Sequence, residues 1–288
     1  KHCYAESMSK RNLKVLGQWG PNGTRVVAAE AMWREPLKWD AAAKAAGERH
    51  RVFCASLADV FEGADTMPDE AFFSVEPARQ RLFELIMDTS HLDWLLLTKR
   101  PENIVRMVER AADSATLSSP ARARAWLTSW VIGASPENVW LGTSVENQEQ
   151  ADKRIPHLLK VPAVVRFLSC EPLLGPLMLN EYLSANGKVF HRGGYTDSLD
   201  WLIVGGESGI GARPFNVDWA RSIRDQCKGA RAACFIKQLG AKPFDPSWHG
   251  DGTPAGSAMR PHDSKGGNWD EWPAELRVRE FPSVRAVG

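Results

Sequence analysis

Six short apolar runs in this chain end on polar or charged residues, and that repetition limits the fold more than any other feature. Arg51-Val52-Phe53-Cys54-Ala55 leads to Ser56 and Asp59. Trp94-Leu95-Leu96-Leu97 leads to Thr98, Lys99, Arg100 and Pro101. Val139-Trp140-Leu141-Gly142 leads to Thr143, Ser144 and Glu146, and Val164-Val165-Arg166-Phe167-Leu168 leads to Ser169, Cys170, Glu171 and Pro172. Trp201-Leu202-Ile203-Val204 leads to Gly205, Gly206, Glu207 and Ser208, and Ala233-Cys234-Phe235-Ile236 leads to Lys237 and Gln238. A run of this length and composition suits a strand buried on both faces of a parallel sheet. Proteins built from such strands gather their carboxyl ends around the place where ligands bind.

Between the runs the apolar spacing turns helical. Residues 4–16 read as a helix, followed by a turn at Gly20-Pro21-Asn22-Gly23. An Ala-rich stretch near 40–49, residues 77–90, a segment opening at Pro101, residues 147–159 and residues 217–229 read as further helices. Residues 113–136 read as an elaborated helix or loop, and Pro156 as a break or bend. Strands alternating with helices at this spacing predict a parallel sheet with right-handed crossovers. The expected class is α/β: a partial or complete parallel (β/α) barrel, TIM-barrel-like, with an irregular C-terminal extension. A doubly wound open sheet is the alternative. The barrel is preferred because nearly every strand end is polar, whereas an open sheet concentrates such groups at its switch point. The expected domains are a barrel over 1–240, truncated at its N-terminus because the chain opens at Lys1 rather than methionine, and an extension or cap over 241–288.

At 288 residues with 43% hydrophobic content, the chain can bury a large core. A formal net charge of +1 gives no broad electrostatic case for nucleic acid or membrane, although a local basic groove remains open. No apolar run approaches the length of a membrane span. Five scattered cysteines suit a reducing compartment, so a cytoplasmic location is expected. Trp94, Trp140 and Trp201 each open a strand-like run and are expected to close the sheet's amino-terminal side.

Glu146, Glu171 and Glu207 follow three successive strands, and Lys99, Arg100 and Lys237 follow others. Such a mixed-charge set suits a polar or zwitterionic small molecule, or acid–base chemistry. The plainer alternative is that these groups pair with one another and brace the rim. Gly205-Gly206-Glu207-Ser208-Gly209-Ile210-Gly211-Ala212-Arg213 is a glycine-rich strand-to-helix loop. Its amides and Arg213 could receive a phosphate or carboxylate, or its glycines could serve a tight turn. The spacing matches neither the dinucleotide fingerprint nor the P-loop. The basic and aromatic stretch near 122–126 leaves nucleic acid open as a partner, against solvated helix faces as the alternative.

Several blocks, taken together and in order over roughly residues 1–240, resemble the phage Gp37/Gp68 family. They are Cys3-Tyr4-Ala5-Glu6, Leu97-Thr98-Lys99-Arg100-Pro101, Gly142-Thr143-Ser144-Val145-Glu146-Asn147-Gln148, Phe167-Leu168-Ser169-Cys170-Glu171-Pro172-Leu173-Leu174-Gly175-Pro176, Val204-Gly205-Gly206-Glu207-Ser208-Gly209, Ala212-Arg213-Pro214 and Phe235-Ile236-Lys237-Gln238. The resemblance implies a three-cysteine loop like that of radical S-adenosylmethionine enzymes, with Cys3 matching its last cysteine and the other two upstream of Lys1. It therefore implies a [4Fe–4S] cluster and S-adenosylmethionine as cofactors, with Cys3 as a metal ligand. By the same analogy Glu146, Glu171, Glu207, Ser144 and Ser169 would face the cofactor, beside Gly205 and Gly206. Lys99, Arg100, Arg213 and Lys237 would contact anionic groups. The alternatives are a cluster-free barrel enzyme that binds a phosphorylated or nucleotide ligand at the Gly205–Arg213 loop, and a nucleic-acid-binding accessory protein.

Overall fold

The computed structural model describes residues 4–55, 57–114, 120–191, 194–247 and 258–283. In chain order these form α1 (Tyr4–Arg11), α2 (Leu13–Leu16), α3 (Glu30–Ala46), β1 (His50–Cys54), α4 (Asp69–Asp88), β2 (Leu92–Thr98), α5 (Ile104–Ala112), α6 (Pro120–Val131) and β3 (Val139–Ser144). There follow α7 (Gln148–Leu158), β4 (Val165–Cys170), β5 (Lys188–His191), β6 (Gly194–Asp197), β7 (Trp201–Gly205), β8 (Phe215–Asn216), α8 (Val217–Ala230), β9 (Ala233–Gln238) and β10 (Pro243–Phe244). The fold is mixed α/β, and the six runs of the sequence become one six-stranded parallel sheet in the order β1-β2-β3-β4-β7-β9. Hydrogen bonding pairs β5 with β6 in an antiparallel hairpin and β8 with β10 in a short parallel pair.

The chain forms two compact units. Unit one comprises residues 1–141 and 161–164, and unit two comprises 142–160 and 165–288.

In unit one, β1 pairs with β2 from His50 opposite Leu92 to Cys54 opposite Leu96. Leu92, Trp94, Leu95 and Leu96 are buried, as a strand covered on both faces requires. The Trp94 indole donates to Thr89 Oγ1 at 3.0 Å. α5 turns Ile104, Met107, Val108, Ala111 and Ala112 inward, the i, i+3, i+4 stripe of an amphipathic helix. The segment near 122–126 lies on α6. Arg122 binds Asp88, Arg124 donates to the Ala112 carbonyl, and Trp130 is buried edge-on against Phe83.

Two helices start earlier than their prolines suggest. α3 begins ten residues before the Ala-rich stretch and carries Pro36 inside it. α4 begins at Asp69 and carries Pro77. An interior proline removes one helical hydrogen bond and costs about 3 kcal/mol. Burial of Ala71 and Phe72 before Pro77, and of Phe83 and Ile86 after it, offsets that cost in α4. Pro156 likewise sits inside α7 and does not end it.

In unit two, β4 pairs with β7 and β7 with β9, all parallel. The outer edge of β9 is covered. Ile236 N donates to Val278 O at 2.9 Å, and Glu280 N donates to Cys234 O at 2.8 Å. The extension therefore supplies an antiparallel strap along an otherwise unpaired strand. Phe281 packs on Trp201 and Phe235, and the Trp201 indole donates to Glu280 O at 3.0 Å. Trp201 is buried at the start of β7, and Trp140 of unit one is buried on β3. Among the described residues no helix is long and apolar enough to cross a membrane.

Candidate functional site

The strand ends of unit two are tied together by the loop that follows β4. Leu173 N donates to Gly205 O at 2.9 Å and Leu174 N to Glu146 O at 2.8 Å. Two adjacent residues thus link the end of β7 to the residue just beyond β3. Val145 N donates to Ser169 O at 2.9 Å, which adds a second link between β3 and β4. Ser144 and Ser169 are buried, and their carbonyls serve this framework. The Asn147 side chain caps α7 by accepting from Gln150 N at 3.0 Å, a contact worth about 1 kcal/mol that fixes where the helix leaves the strand end.

Each of the three carboxylates has a cationic partner, and the three pairs differ. Arg154, two turns into α7, donates from one Nη to both Ser144 O at 2.8 Å and Glu146 Oε2 at 2.9 Å. Glu207 accepts three bonds from Arg213: backbone N at 2.9 Å, Nε at 2.8 Å and Nη2 at 3.0 Å. The Arg213 guanidinium is held above its ordinary proton affinity, first by its bond to Glu207 and then by the charges of Glu207 and Glu146. Glu171 accepts from Lys237 Nζ at 3.2 Å, with the carboxylate side chain 17% exposed and the lysine 56% exposed. Burial pushes the Glu171 carboxyl above its ordinary value, and Lys237 opposes that without cancelling it.

The glycines of the loop serve close approach. A Cβ at Gly205 would stand 2.5 Å from Glu171 Oε1, so the missing side chain is the space that oxygen occupies. A Cβ at Gly206 would collide with Leu239 O, and Gln238 Nε2 donates to Gly206 O at 2.9 Å. At the loop's tip Gly209 and Gly211 take φ of 93° and 84°, where glycine is favoured. The Glu207 carboxylate receives the Arg213 amide and guanidinium, the donors a bound phosphate would use.

The two unit-one candidates, Lys99 and Arg100, belong to a set of contacts within unit one. Asp59 accepts from Phe61 N at 3.0 Å, Thr98 Oγ1 at 2.7 Å, Lys99 N at 3.0 Å and Arg100 Nη1 at 3.0 Å. Glu62 is held by Arg25 through two bonds of 2.9 Å and by Arg100 at 3.5 Å. Arg79 donates to Val60 O at 2.7 Å, Glu62 O at 2.8 Å and Glu76 Oε2 at 2.6 Å. The Arg100 guanidinium is thus committed to fixing the segment after β1. Arg154 and Glu62 are the site residues that the strand-end pattern passes over, while Asp59 and Gln238 lie at the ends of their runs without having been singled out as candidates. Arg154 had a legible signal: it lies on the helix directly after Glu146, two turns along.

A family model described as a protein of unknown function (DUF5131) matches residues 1–273. The chain belongs to that family. Neither the curated proteins nor the solved structures give a match to this DUF5131 member. Cys3 lies outside the described residues. The other four cysteines are free thiols. Burial pushes the Cys54 thiol up to about 12 and also raises Cys170, to which Cys234, Glu171 and Glu146 add in turn. Cys227 is raised through its contact with Cys234 and by burial. Among the described residues no group of three or more His, Cys, Asp or Glu side chains is placed to hold a metal ion. The described part of this DUF5131 chain therefore does not supply a cluster's ligand set.

Proposed function

We propose that this DUF5131 protein is an enzyme that binds a polar, zwitterionic small molecule at the carboxyl ends of the unit-two strands. S-adenosylmethionine is the first candidate, by the resemblance to the phage Gp37/Gp68 family and its radical S-adenosylmethionine-like pattern. The observation that carries the reading is the joining of three acid–base pairs by one loop: Glu146 with Arg154, Glu171 with Lys237 and Glu207 with Arg213. A zwitterion needs an acceptor for its ammonium group and a donor for its carboxylate, and paired charges of both signs offer both. The reading of these strands as part of a (β/α) barrel belongs with it, since a barrel brings successive strand ends to one face. The iron–sulfur part of the resemblance rests on Cys3 and finds no ligand set among the described residues, so no step is drawn through a cluster. Four free cysteines favour the cytoplasmic location expected for such an enzyme.

Titration calorimetry with S-adenosylmethionine tests the reading. Binding should be saturable and should weaken at least about tenfold in Glu146→Gln with Glu207→Gln, which is about 1.4 kcal/mol. Absence of binding by the wild-type chain, or binding unaffected by the double substitution in a folded protein, would overturn it.

A further inference from the structure

The three strand-end carboxylates of unit two are not equivalent as proton carriers. Glu207 is clamped by three bonds from Arg213, and Glu146 is held at 2.9 Å by an arginine that also grips Ser144 O. An arginine side chain does not give up its proton in proteins, and a carboxylate tied to one stays ionised. Neither acid is built to exchange protons.

Glu171 is built differently. Its Oε1 sits in the notch that Gly205 leaves open, and its Oε2 meets a single lysine at 3.2 Å. That lysine is more than half exposed on a flexible four-carbon stem, so it can swing off and return without disturbing the strand. The surrounding charged groups are Lys237 on β9, Glu146 and Arg154 from the end of β3 and α7, and Glu207 and Arg213 in the loop after β7. The thiols on β4 and β9 are Cys170 and Cys234. Of these groups, Lys237 is the one that acts directly on the Glu171 carboxyl.

The structure assigns to Glu171 the exchange of a proton with the ligand at this site, and to Lys237 the control of that exchange. This assignment rests on the functional reading above. With Lys237 in place, Glu171 is a carboxylate that accepts a proton from an N–H or O–H group of the ligand. That bond breaks and leaves its electron pair on the ligand, a new O–H bond forms on Oε2, the ligand becomes one charge unit more negative, and the lysine ammonium faces it. With Lys237 swung away, the buried carboxyl keeps its proton and acts as the donor in the reverse direction. Lys237 is thus a positioning residue, and Glu171 touches the ligand.

The test has two arms, both on the full chain. In the first, carboxyl-labelled glutamate is followed by carbon-13 resonance from pH 4 to 9 in wild type and in Lys237→Met. The resonance absent from Glu171→Gln should titrate above the usual glutamate range, and should move higher still in Lys237→Met. A midpoint in the ordinary range, or one indifferent to Lys237, overturns the assignment whether or not a ligand is found. In the second arm, S-adenosylmethionine is titrated calorimetrically in buffers of different ionisation enthalpy. Wild type should bind with a proton exchanged, and Glu171→Gln should bind with none. Proton exchange that persists in Glu171→Gln overturns the assignment while leaving the functional reading standing. A wild-type chain that binds nothing overturns the functional reading and the ligand-side role together. Melting curves on each variant establish that it is folded.

Discussion

At the strand ends of unit one, Asp59 collects four hydrogen bonds from two backbone amides, a threonine and an arginine. At those of unit two, Glu171 meets one lysine at 3.2 Å, and its other oxygen fills the space left where Gly205 has no side chain. Both regions have the same composition, acids and bases just past buried strands, and sequence alone cannot rank them. The difference lies in saturation. A carboxylate with all its acceptor sites filled by fixed donors holds a loop in place. One whose partner is mobile and whose burial raises its proton affinity can do chemistry. Unit one thus spends its charges on structure, and unit two keeps one in reserve.

The largest expected effect tests the structural side. Asp59→Ala removes the acceptor shared by Phe61 N, Thr98 Oγ1, Lys99 N and Arg100 Nη1, with Glu62 still facing Arg100. It should lower stability by about 3 kcal/mol in urea denaturation. A loss under about 1 kcal/mol would place Asp59 among ordinary surface pairs and erase the contrast.

The next effect concerns a saturated cluster inside unit two. Arg221 binds Asp245 at 2.6 and 2.8 Å and also reaches Asp218 and Glu275. The bond to Arg221, with help from Ser247, holds the Asp245 carboxyl down to about 2. Because the folded value is depressed, this stabilisation is present above the ordinary value of 3.8 and is lost as pH falls through about 2. Arg221→Met should therefore cost about 2 kcal/mol at pH 6, a penalty that shrinks towards zero by pH 2. A penalty independent of pH would assign the effect to lost packing instead. Smaller again is Arg213→Ala. It removes the two guanidinium bonds to Glu207 and keeps the backbone one, and the arginine lost is partly exposed, so about 1 kcal/mol is expected. The informative readout is hydrogen exchange at the Ala212 amide, which donates to Gly209 O at 3.2 Å. That amide should exchange faster if the Glu207–Arg213 clamp sets the loop, and at the wild-type rate if the glycines alone set it.

The strands were legible because a buried parallel strand leaves a continuous apolar run, and all six runs became strands of one sheet. The breaks were less legible. Pro36, Pro77 and Pro156 mark boundaries in a local reading, yet each lies within a helix that burial on either side maintains. The hairpin of β5 and β6 and the strap at 278–280 left no periodic trace, being short and held by backbone bonds. For the site, position at a strand end found Glu146, Glu171 and Glu207 but said nothing of their partners. Arg100 and Lys99 look identical to Lys237 in sequence. What separates them is Asp59, forty residues upstream of Lys99, which takes up the Arg100 guanidinium and the Lys99 amide. Pairings at that distance in the chain follow from tertiary packing.

The smallest expected effect has the opposite sign to the others and bears most directly on the contrast. Burial raises the proton affinity of Glu171 in the folded chain above its ordinary value. The folded state therefore holds this proton more tightly than the unfolded state does. The Glu171 contribution to wild-type stability should then decline as pH rises from the ordinary glutamate value through the folded one, because above that window a buried carboxylate has to be maintained. Glu171→Gln carries no titrating proton and keeps nearly the same shape. It should match wild type at pH 4, where both side chains are neutral, and be more stable at pH 8. Paired denaturation curves at the two values decide the point. A variant less stable than wild type at pH 8 would mean that the Lys237 ion pair outweighs burial. Glu171 would then be a saturated brace like Asp59, and unit two would hold no carboxylate in reserve.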